Sequence, residues 1–129
     1  MTAICGISPE QYLAYLKANT DKKVEQLDLK LPRAELTCLA IKDGDAIVSV
    51  VSYFKIGTVT RIKGLHTKKE YRGRGYGSEL LREVSRLGGT LDTFASHYSH
   101  GLFLKLGFVD QRVIHHPKGD VYYMRRNSQ

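Results

Sequence analysis

The stretch from Arg61 to Gly77, RIKGLHTKKEYRGRGYG, decides the fold, and it is followed directly by SELLREVSRL. Its first half is typical of a β-strand, and the segment after it is typical of a helix. Between them lies a basic turn in which three glycines alternate with arginines. Glycine lets a ligand approach the backbone closely, and a helix N-terminus offers unpaired N–H groups at a positive dipole end. Residues 72–78 are therefore predicted to bind a phosphate group.

Two other phosphate-binding motifs do not fit this turn. A Walker loop ends in Gly-Lys-Ser/Thr, which is absent from the turn. The dinucleotide pattern G-x-G-x-x-G nearly fits from Gly73, but Ser78 occupies the place of its third glycine. The hairpins predicted upstream also argue against a doubly wound parallel sheet.

Length and composition predict one domain over residues 1–129. The hydrophobic share of 42% suffices for a single core. No stretch approaches a membrane span, and the N-terminus lacks the pattern of a signal peptide, so we expect a cytoplasmic protein without a membrane partner. Cys5 and Cys38 lack the CxxC spacing and are expected to be reduced thiols.

The chain is basic, with a net charge of +7 and a pI near 9.5. Such an excess favours anionic partners, which include nucleic acid, a phosphorylated cofactor and an acidic protein surface. Many of the basic residues lie at the strand end and in its turn. Elsewhere, solvated lysines explain the positive charge. Nucleic-acid binding stays open but is not favoured, because the basic stretch lacks the interleaved aromatic residues of a stacking surface.

Local signals predict an order of two helices, three strands, a helix, a strand, a helix and two strands. Ser8, Pro9 and Gln11 form a capping box that starts the first helix. A weaker helix is predicted over 21–27, and the turn Asp43-Gly44-Asp45 predicts an antiparallel hairpin. The strands are predicted over 35–42, 46–55, 58–67, 90–97, 108–114 and 120–126, and the later helices over 78–87 and 99–106.

These residues resemble the GNAT superfamily of N-acetyltransferases. The signature R/Q-x-x-G-x-G/A corresponds to Arg72-Gly73-Arg74-Gly75-Tyr76-Gly77, and the family phrase LYEKLGF is similar to LFLKLGF at 102–108. The resemblance covers Leu36 to Arg125 and leaves an N-terminal part without an obvious first strand. It implies an α+β fold, with a mixed, mostly antiparallel sheet of about six strands that is flanked by helices and splayed at its central parallel pair.

The resemblance also implies acetyl-CoA as the cofactor and direct attack of a primary amine on its thioester. The glycine-rich turn is then expected to bind the pyrophosphate, and the preceding strand end the pantetheine arm. The residues implied in cofactor binding are Leu65, His66, Thr67, Arg72, Gly73, Arg74, Gly75, Tyr76, Gly77, Ser78, Ser96 and Phe103.

Two positions depart from the family pattern. Phe103 stands where many members have a tyrosine acid, and Arg61 stands where some have a glutamate base. Tyr98 and His100 are candidates for the acid, and His97, with His66 behind it, is a candidate for the base. The alternatives are surface residues without a catalytic role, a water chain as base and a thiolate that leaves unaided.

No metal site is predicted, because His97, His100 and the adjacent pair at 115–116 lack a carboxylate or cysteine at ligand spacing. The acceptor is expected to be a protein lysine, an N-terminus or a small amine, and a homodimer stays open. The missing tyrosine and glutamate motivate an alternative, a non-catalytic CoA-binding module. The net charge motivates another, a basic nucleic-acid-binding protein.

Overall fold

The computed structural model describes residues 2–20 and 35–127, which form one sheet with helices on both faces. The strands are β1 (Thr2–Ile7), β2 (Thr37–Asp43), β3 (Ala46–Ile56), β4 (Val59–Thr67), β5 (Thr90–Ser96), β6 (Val109–Ile114) and β7 (Val121–Arg126). The helices are α1 (Pro9–Asn19), α2 (Tyr76–Ser85) and α3 (His97–Lys105), and a short 3₁₀ turn covers Lys69–Tyr71.

The sheet has the order β1-β2-β3-β4-β5-β7-β6. Every neighbouring pair is antiparallel except β4 and β5, which are parallel. The predicted α+β fold with a mixed, mostly antiparallel sheet is therefore confirmed. Because β4 and β5 run in the same direction, a crossover must join them, and this crossover contains the glycine-rich turn and α2.

The expectation that the N-terminal part lacks a first strand is wrong. β1 pairs with β2 along its whole length, from Thr2 opposite Asp43 to Ile7 opposite Cys38, so the described sheet has seven strands rather than about six. TAICGI is short and lies at the chain start, so its pairing partner is distant in sequence and leaves no local signal. The weaker helix predicted over 21–27 lies outside the described residues.

Helix α1 is fixed at its start by the predicted capping box. The Gln11 backbone N–H donates to Ser8 Oγ at 3.0 Å, and the Ser8 N–H donates to Gln11 Oε1 at 2.9 Å. The buried face of the helix covers β2 and β3 on one side of the sheet. That core cluster comprises Tyr12, Tyr15, Leu16, Cys38, Ala40 and Val50.

Helices α2 and α3 cover the other side of the sheet. Leu80, Leu81 and Val84 of α2 are almost fully buried there, whereas Leu87 lies beyond the end of the helix and is 49% exposed. α2 begins at Tyr76, two residues before the predicted start, because Gly75 takes the N-cap position. This larger core comprises Ile41, Val48, Val51, Ile62, Leu80, Leu81, Val84, Leu91, Ala95, Phe103, Phe108 and Met124.

Gly64 in β4 leaves space for the side chain of Tyr12 from α1. A Cβ built at Gly64 would clash with the hydroxyl of Tyr12, whose burial raises its pKa to about 12. We expect Gly64→Ala to lower the free energy of unfolding by about 2 kcal/mol, as overpacking of a tight core does. Urea denaturation should show recovery in the double variant with Tyr12→Phe, which removes the clashing oxygen.

The control for this pair is Gly6→Ala in β1, where an added Cβ would meet nothing within 4 Å. It should leave the unfolding free energy unchanged or raise it slightly, because alanine restricts the unfolded chain more than glycine does. Equal losses in Gly64→Ala with and without Tyr12→Phe would contradict the proposed clash.

Candidate active site

The parallel strands β4 and β5 separate partway along their length. They pair from Val59 opposite Thr90 to Ile62 opposite Thr93, where the Thr93 hydroxyl donates to the Ile62 carbonyl at 3.0 Å. Beyond this point β4 stays paired with β3, and β5 stays paired with β7. The predicted splay at the central parallel pair is confirmed, and it opens a V-shaped cleft between the two strands.

A bulge in β4 lies at the apex of this cleft. Ser52 of β3 is opposite Gly64 and Tyr53 is opposite Ile62, which leaves Lys63 as an extra residue in β4. A bulge bends its strand and redirects a side chain, and here it places Lys63 in the wall of the cleft. The cleft is lined by Ile62, Lys63, Gly64, Leu65, Thr93, Phe94, Ser96, Ser99 and Phe103.

The end of β4 presents its backbone to the cleft. The side chains of its last two residues are held elsewhere: His66 Nδ1 lies 3.0 Å from the Tyr15 hydroxyl, and Thr67 Oγ1 lies 2.8 Å from Ser49 Oγ. Leu65 lines the cleft itself. The pairing of β4 with β5 ends at Ile62, so an extended ligand can add to the edge of β4 beyond it like a further strand.

The glycine-rich turn ends in an uncapped helix N-terminus. Gly73 and Gly75 have φ of 80° and 83°, a region that favours glycine. The Glu79 N–H donates to the Gly75 carbonyl at 3.0 Å, which is the first hydrogen bond of the helix. The N–H groups of residues 76–78 come before this bond, and the N-cap residue Gly75 has no side chain that could accept from them. A Cβ at Gly73 or Gly75 would meet nothing within 4 Å. The turn therefore has the donors and the space that an anion requires.

Both arginines of the turn donate hydrogen bonds to nearby backbone carbonyl groups. Arg72 Nε donates to the Thr67 carbonyl at 3.1 Å, and a terminal nitrogen of Arg74 donates to the Glu70 carbonyl at 3.3 Å. The Arg74 guanidinium also lies 4.8 Å above the ring of Tyr71. Their charges are exposed at the rim of the turn, where they add positive potential for an incoming anion.

Gly77 has a different function from the two preceding glycines. A Cβ there would lie 3.3 Å from Leu102 and 3.5 Å from Leu65, so this glycine permits close packing of α2 against β4 and α3. Tyr76 and Ser78 are half-buried at the start of the helix. The predicted phosphate-binding segment, residues 72–78, thus comprises the turn and the first residues of α2.

The three predicted catalytic residues lie together in the first turn of α3. This helix begins at His97 rather than at the predicted Ser99. Tyr98 is 92% exposed, and His100 contacts Asp110 at 2.8 Å and stacks on the ring of Tyr122 at 3.8 Å. None of the three lines the cleft, where α3 contributes Ser99 and Phe103 after Ser96 at the end of β5.

Sequence reasoning missed an ion pair beside the cleft. Arg61 donates from Nε and a terminal nitrogen to the two carboxylate oxygens of Asp92, at 3.0 and 2.9 Å, and the Tyr123 hydroxyl donates to Asp92 at 2.8 Å. Asp92 is 1% exposed, and its hydrogen bonds raise the pKa of the Arg61 guanidinium. The available signal was a pair of opposite charges on the two strands predicted to lie side by side.

Lys63 was also not foreseen as a residue of the site. Burial lowers the pKa of its ammonium group, and the positive charge of Arg61 acts in the same direction. The sequence signal was weak, because the strand alternation from Arg61 does not reveal the bulge that turns Lys63 into the cleft wall.

The histidines outside the cleft have partners of their own. His115 Nδ1 lies 3.0 Å from Asp120, and His116 Nδ1 accepts from the backbone N–H of Lys118 at 3.1 Å. Over residues 2–20 and 35–127, no group of three metal-binding side chains comes together. Nor is any helix in these ranges long and apolar enough to cross a membrane.

Comparison with known proteins identifies a family. The profile of the acetyltransferase (GNAT) family matches residues 4–108. Similar solved structures include the ribosomal-protein-S18-alanine N-acetyltransferase from Escherichia coli, with TM-score 0.78, 12% identity and coverage of 99% of this chain and 94% of that one. Among curated protein sequences, no significant match was found.

Two further solved structures have the same architecture. A GNAT family acetyltransferase from Elizabethkingia anophelis with acetyl-CoA bound has TM-score 0.73, 17% identity and coverage of 98% and 97%. The IAA acetyltransferase from Bacillus cereus has TM-score 0.76, 16% identity and coverage of 98% and 99%. At these identities the structural likeness establishes the fold alone.

Proposed function

Because the chain belongs to the GNAT family of acetyltransferases, we propose that it transfers the acetyl group of acetyl-CoA to an amine. The observation that carries this proposal is the continuity of the uncapped glycine-rich turn with the cleft between β4 and β5. A pyrophosphate at the turn would leave the pantetheine arm next to the edge of β4 beyond Ile62. The thioester would then lie in the cleft.

The residues of the turn and strand end fit coenzyme A. Backbone N–H groups of residues 76–78 would bind the pyrophosphate, and the open space at Gly73 and Gly75 admits its oxygens. Leu65, His66 and Thr67 would pair with the pantetheine arm through their backbone. The fit extends to Ser96 and Phe103, which line the far wall of the cleft.

The chemistry proceeds by direct attack. The amine nitrogen forms a bond to the thioester carbonyl carbon, the carbon–sulfur bond breaks, the sulfur leaves as the thiolate of coenzyme A, and the nitrogen loses a proton. Phe103 cannot donate that proton to the sulfur. We propose Tyr98 and His100 as alternative acids and His97 as the base, each acting through water, since none of them lines the cleft.

Two measurements test the proposed function. Calorimetry should show binding of acetyl-CoA at one site per chain, and a thiol-reactive dye should show release of free coenzyme A that depends on an added amine. The acceptor panel should contain small amines and peptides with free N-termini and lysines. Absence of acetyl-CoA binding would contradict the proposal, and binding without turnover on any acceptor would favour a non-catalytic CoA-binding module.

A further inference from the structure

A cluster of cationic and aromatic side chains lies on the α1 side of the sheet, next to the cleft. We define the basic face as Arg61, Lys63, Phe94, Arg112, Tyr123 and Arg125. Its centre is an aromatic pair, since the rings of Phe94 and Tyr123 lie 4.9 Å apart. The guanidinium of Arg61 lies 5.0 Å from the Phe94 ring, and that of Arg112 lies 5.8 Å from the Tyr123 ring.

Strand register explains why these residues, apart from the bulged Lys63, share one face. Arg61 lies opposite Asp92, Phe94 lies opposite Tyr123, and Arg112 of the edge strand β6 lies opposite Tyr123. Side chains of directly opposed residues point to the same side of a sheet. The cationic groups therefore extend across the four strands β4, β5, β7 and β6, a width of about 14 Å at the usual strand spacing.

The positive charge of this face is mostly uncompensated. Asp92 neutralises Arg61. Within the described residues, Lys63, Arg112 and Arg125 have no ion pair, and the buried Nε of Arg125 has no hydrogen-bond partner. Three cationic groups thus remain beside two aromatic rings, one of which, that of Phe94, is 41% exposed.

The phosphates of the cofactor do not account for this charge. The phosphate-binding turn follows the C-terminal end of β4 at Thr67, whereas Arg61 lies six residues earlier, roughly 20 Å away along the strand. The basic face is instead continuous with the cleft, because Lys63 and Phe94 belong to both. It therefore borders the side of the cleft that coenzyme A does not occupy.

Resting on the proposed acetyl transfer, we propose that the basic face binds an acidic peptide, whose carboxylates flank the amine that is acetylated. Guanidinium groups bind carboxylates with matched, paired hydrogen bonds. The width of the face exceeds one carboxylate and suits several residues of an extended peptide. The exposed aromatic ring provides apolar contact area for the peptide between those charges.

The same charges influence the reaction. A protonated amine is repelled by the cations at the cleft, so flanking carboxylates must provide the attraction that brings it there. Once it is in place, the positive surroundings favour the neutral form of the amine, which is the nucleophile. Arg61, where some family members have a glutamate base, fits this arrangement, in which the peptide provides the carboxylates and the protein provides the positive charge.

The test uses three labelled peptides, each with a free N-terminus and one lysine, in which the flanking residues are all Glu, all Gln or all Arg. Fluorescence anisotropy at fixed salt, with coenzyme A present, measures binding separately from turnover. The Glu peptide should bind about tenfold more tightly than the Gln peptide, and the Arg peptide more weakly than either. Arg112→Glu should abolish this order and improve binding of the Arg peptide.

The matched control is Arg82→Glu, which makes the same charge change on the exposed surface of α2. It should keep the order of the three peptides. Equal binding of the Glu and Gln peptides, an equal effect of both variants, or tighter binding of a single-stranded oligonucleotide than of the Glu peptide would overturn the proposal. Preferential binding of the Glu peptide without thiol release would support the proposed peptide-binding surface and contradict the proposed acetyl transfer.

Discussion

Gly75→Glu is expected to weaken acetyl-CoA binding by roughly 100-fold, which corresponds to about 2.7 kcal/mol. Gly75 has φ of 83° and ψ of 10° at the N-cap of α2, so any side chain there occupies the left-handed region at a cost of about 1–2 kcal/mol. The glutamate also places a negative charge where the uncapped N–H groups are proposed to bind a pyrophosphate. The strain destabilises the conformation of the turn, and the repulsion opposes the bound pyrophosphate.

The control is Gly57→Glu in the turn between β3 and β4. Gly57 has φ of 60°, and an added Cβ there would also meet nothing within 4 Å, so the two substitutions share backbone strain and added charge but differ in position. Thermal unfolding should therefore show similar losses of stability, whereas calorimetry should show lost binding only for Gly75→Glu. Gly75→Ala separates the contributions, since it adds strain without charge and should lose less affinity.

Unchanged affinity in Gly75→Glu, or the same loss in Gly57→Glu, would contradict binding at the turn. Either result would also remove the main support for acetyl transfer in this chain. The thiol-release assay should follow the binding result, because the turn acts by holding the cofactor and has no separate chemical step.

Elements specified by neighbouring residues were predicted well. The capping box at Ser8 started α1 as predicted, and the two-residue connection at Gly44 joined β2 to β3. The conformation of the glycine-rich turn belongs to this class, because alternating glycines before an apolar helix carry their own geometry.

Elements specified by distant partners were missed. β1 depends on pairing with a strand more than 30 residues away along the chain. The bulge at Lys63 depends on register between β3 and β4, and only that register shows which side chains of β4 line the cleft. Sequence alternation alone identified the strand but not the position at which it bends.

The candidate catalytic residues illustrate the same limit. Tyr98 and His100 are predicted as acids because they lie close in sequence to Phe103, and His97 as a base because it ends a strand expected to flank the thioester. α3 places all three within one turn. The residues that the fold brings to the cleft from farther away, Lys63 and Phe94, carried no local signal of that role. Their position depends on the splay of the two strands.

Arg61→Met is expected to lower the free energy of unfolding by about 4 kcal/mol, because it leaves the carboxylate of Asp92 buried without its cation. Asp92 is 1% exposed, whereas Arg61 is 25% exposed. A buried unpaired carboxylate is costly, and the Tyr123 hydroxyl at 2.8 Å compensates for it only in part. Urea denaturation at neutral pH measures this loss.

The double variant Arg61→Met with Asp92→Asn tests the cause. The neutral amide removes the buried charge and can still accept the hydrogen bond of Tyr123, so the double variant should be more stable than Arg61→Met alone. Arg86→Met provides the matched control, because it removes the cation of an exposed pair with Glu83 and should change stability by less than about 0.5 kcal/mol. A loss for Arg61→Met no larger than that of Arg86→Met would show that the buried pair does not stabilise the junction of β4 and β5.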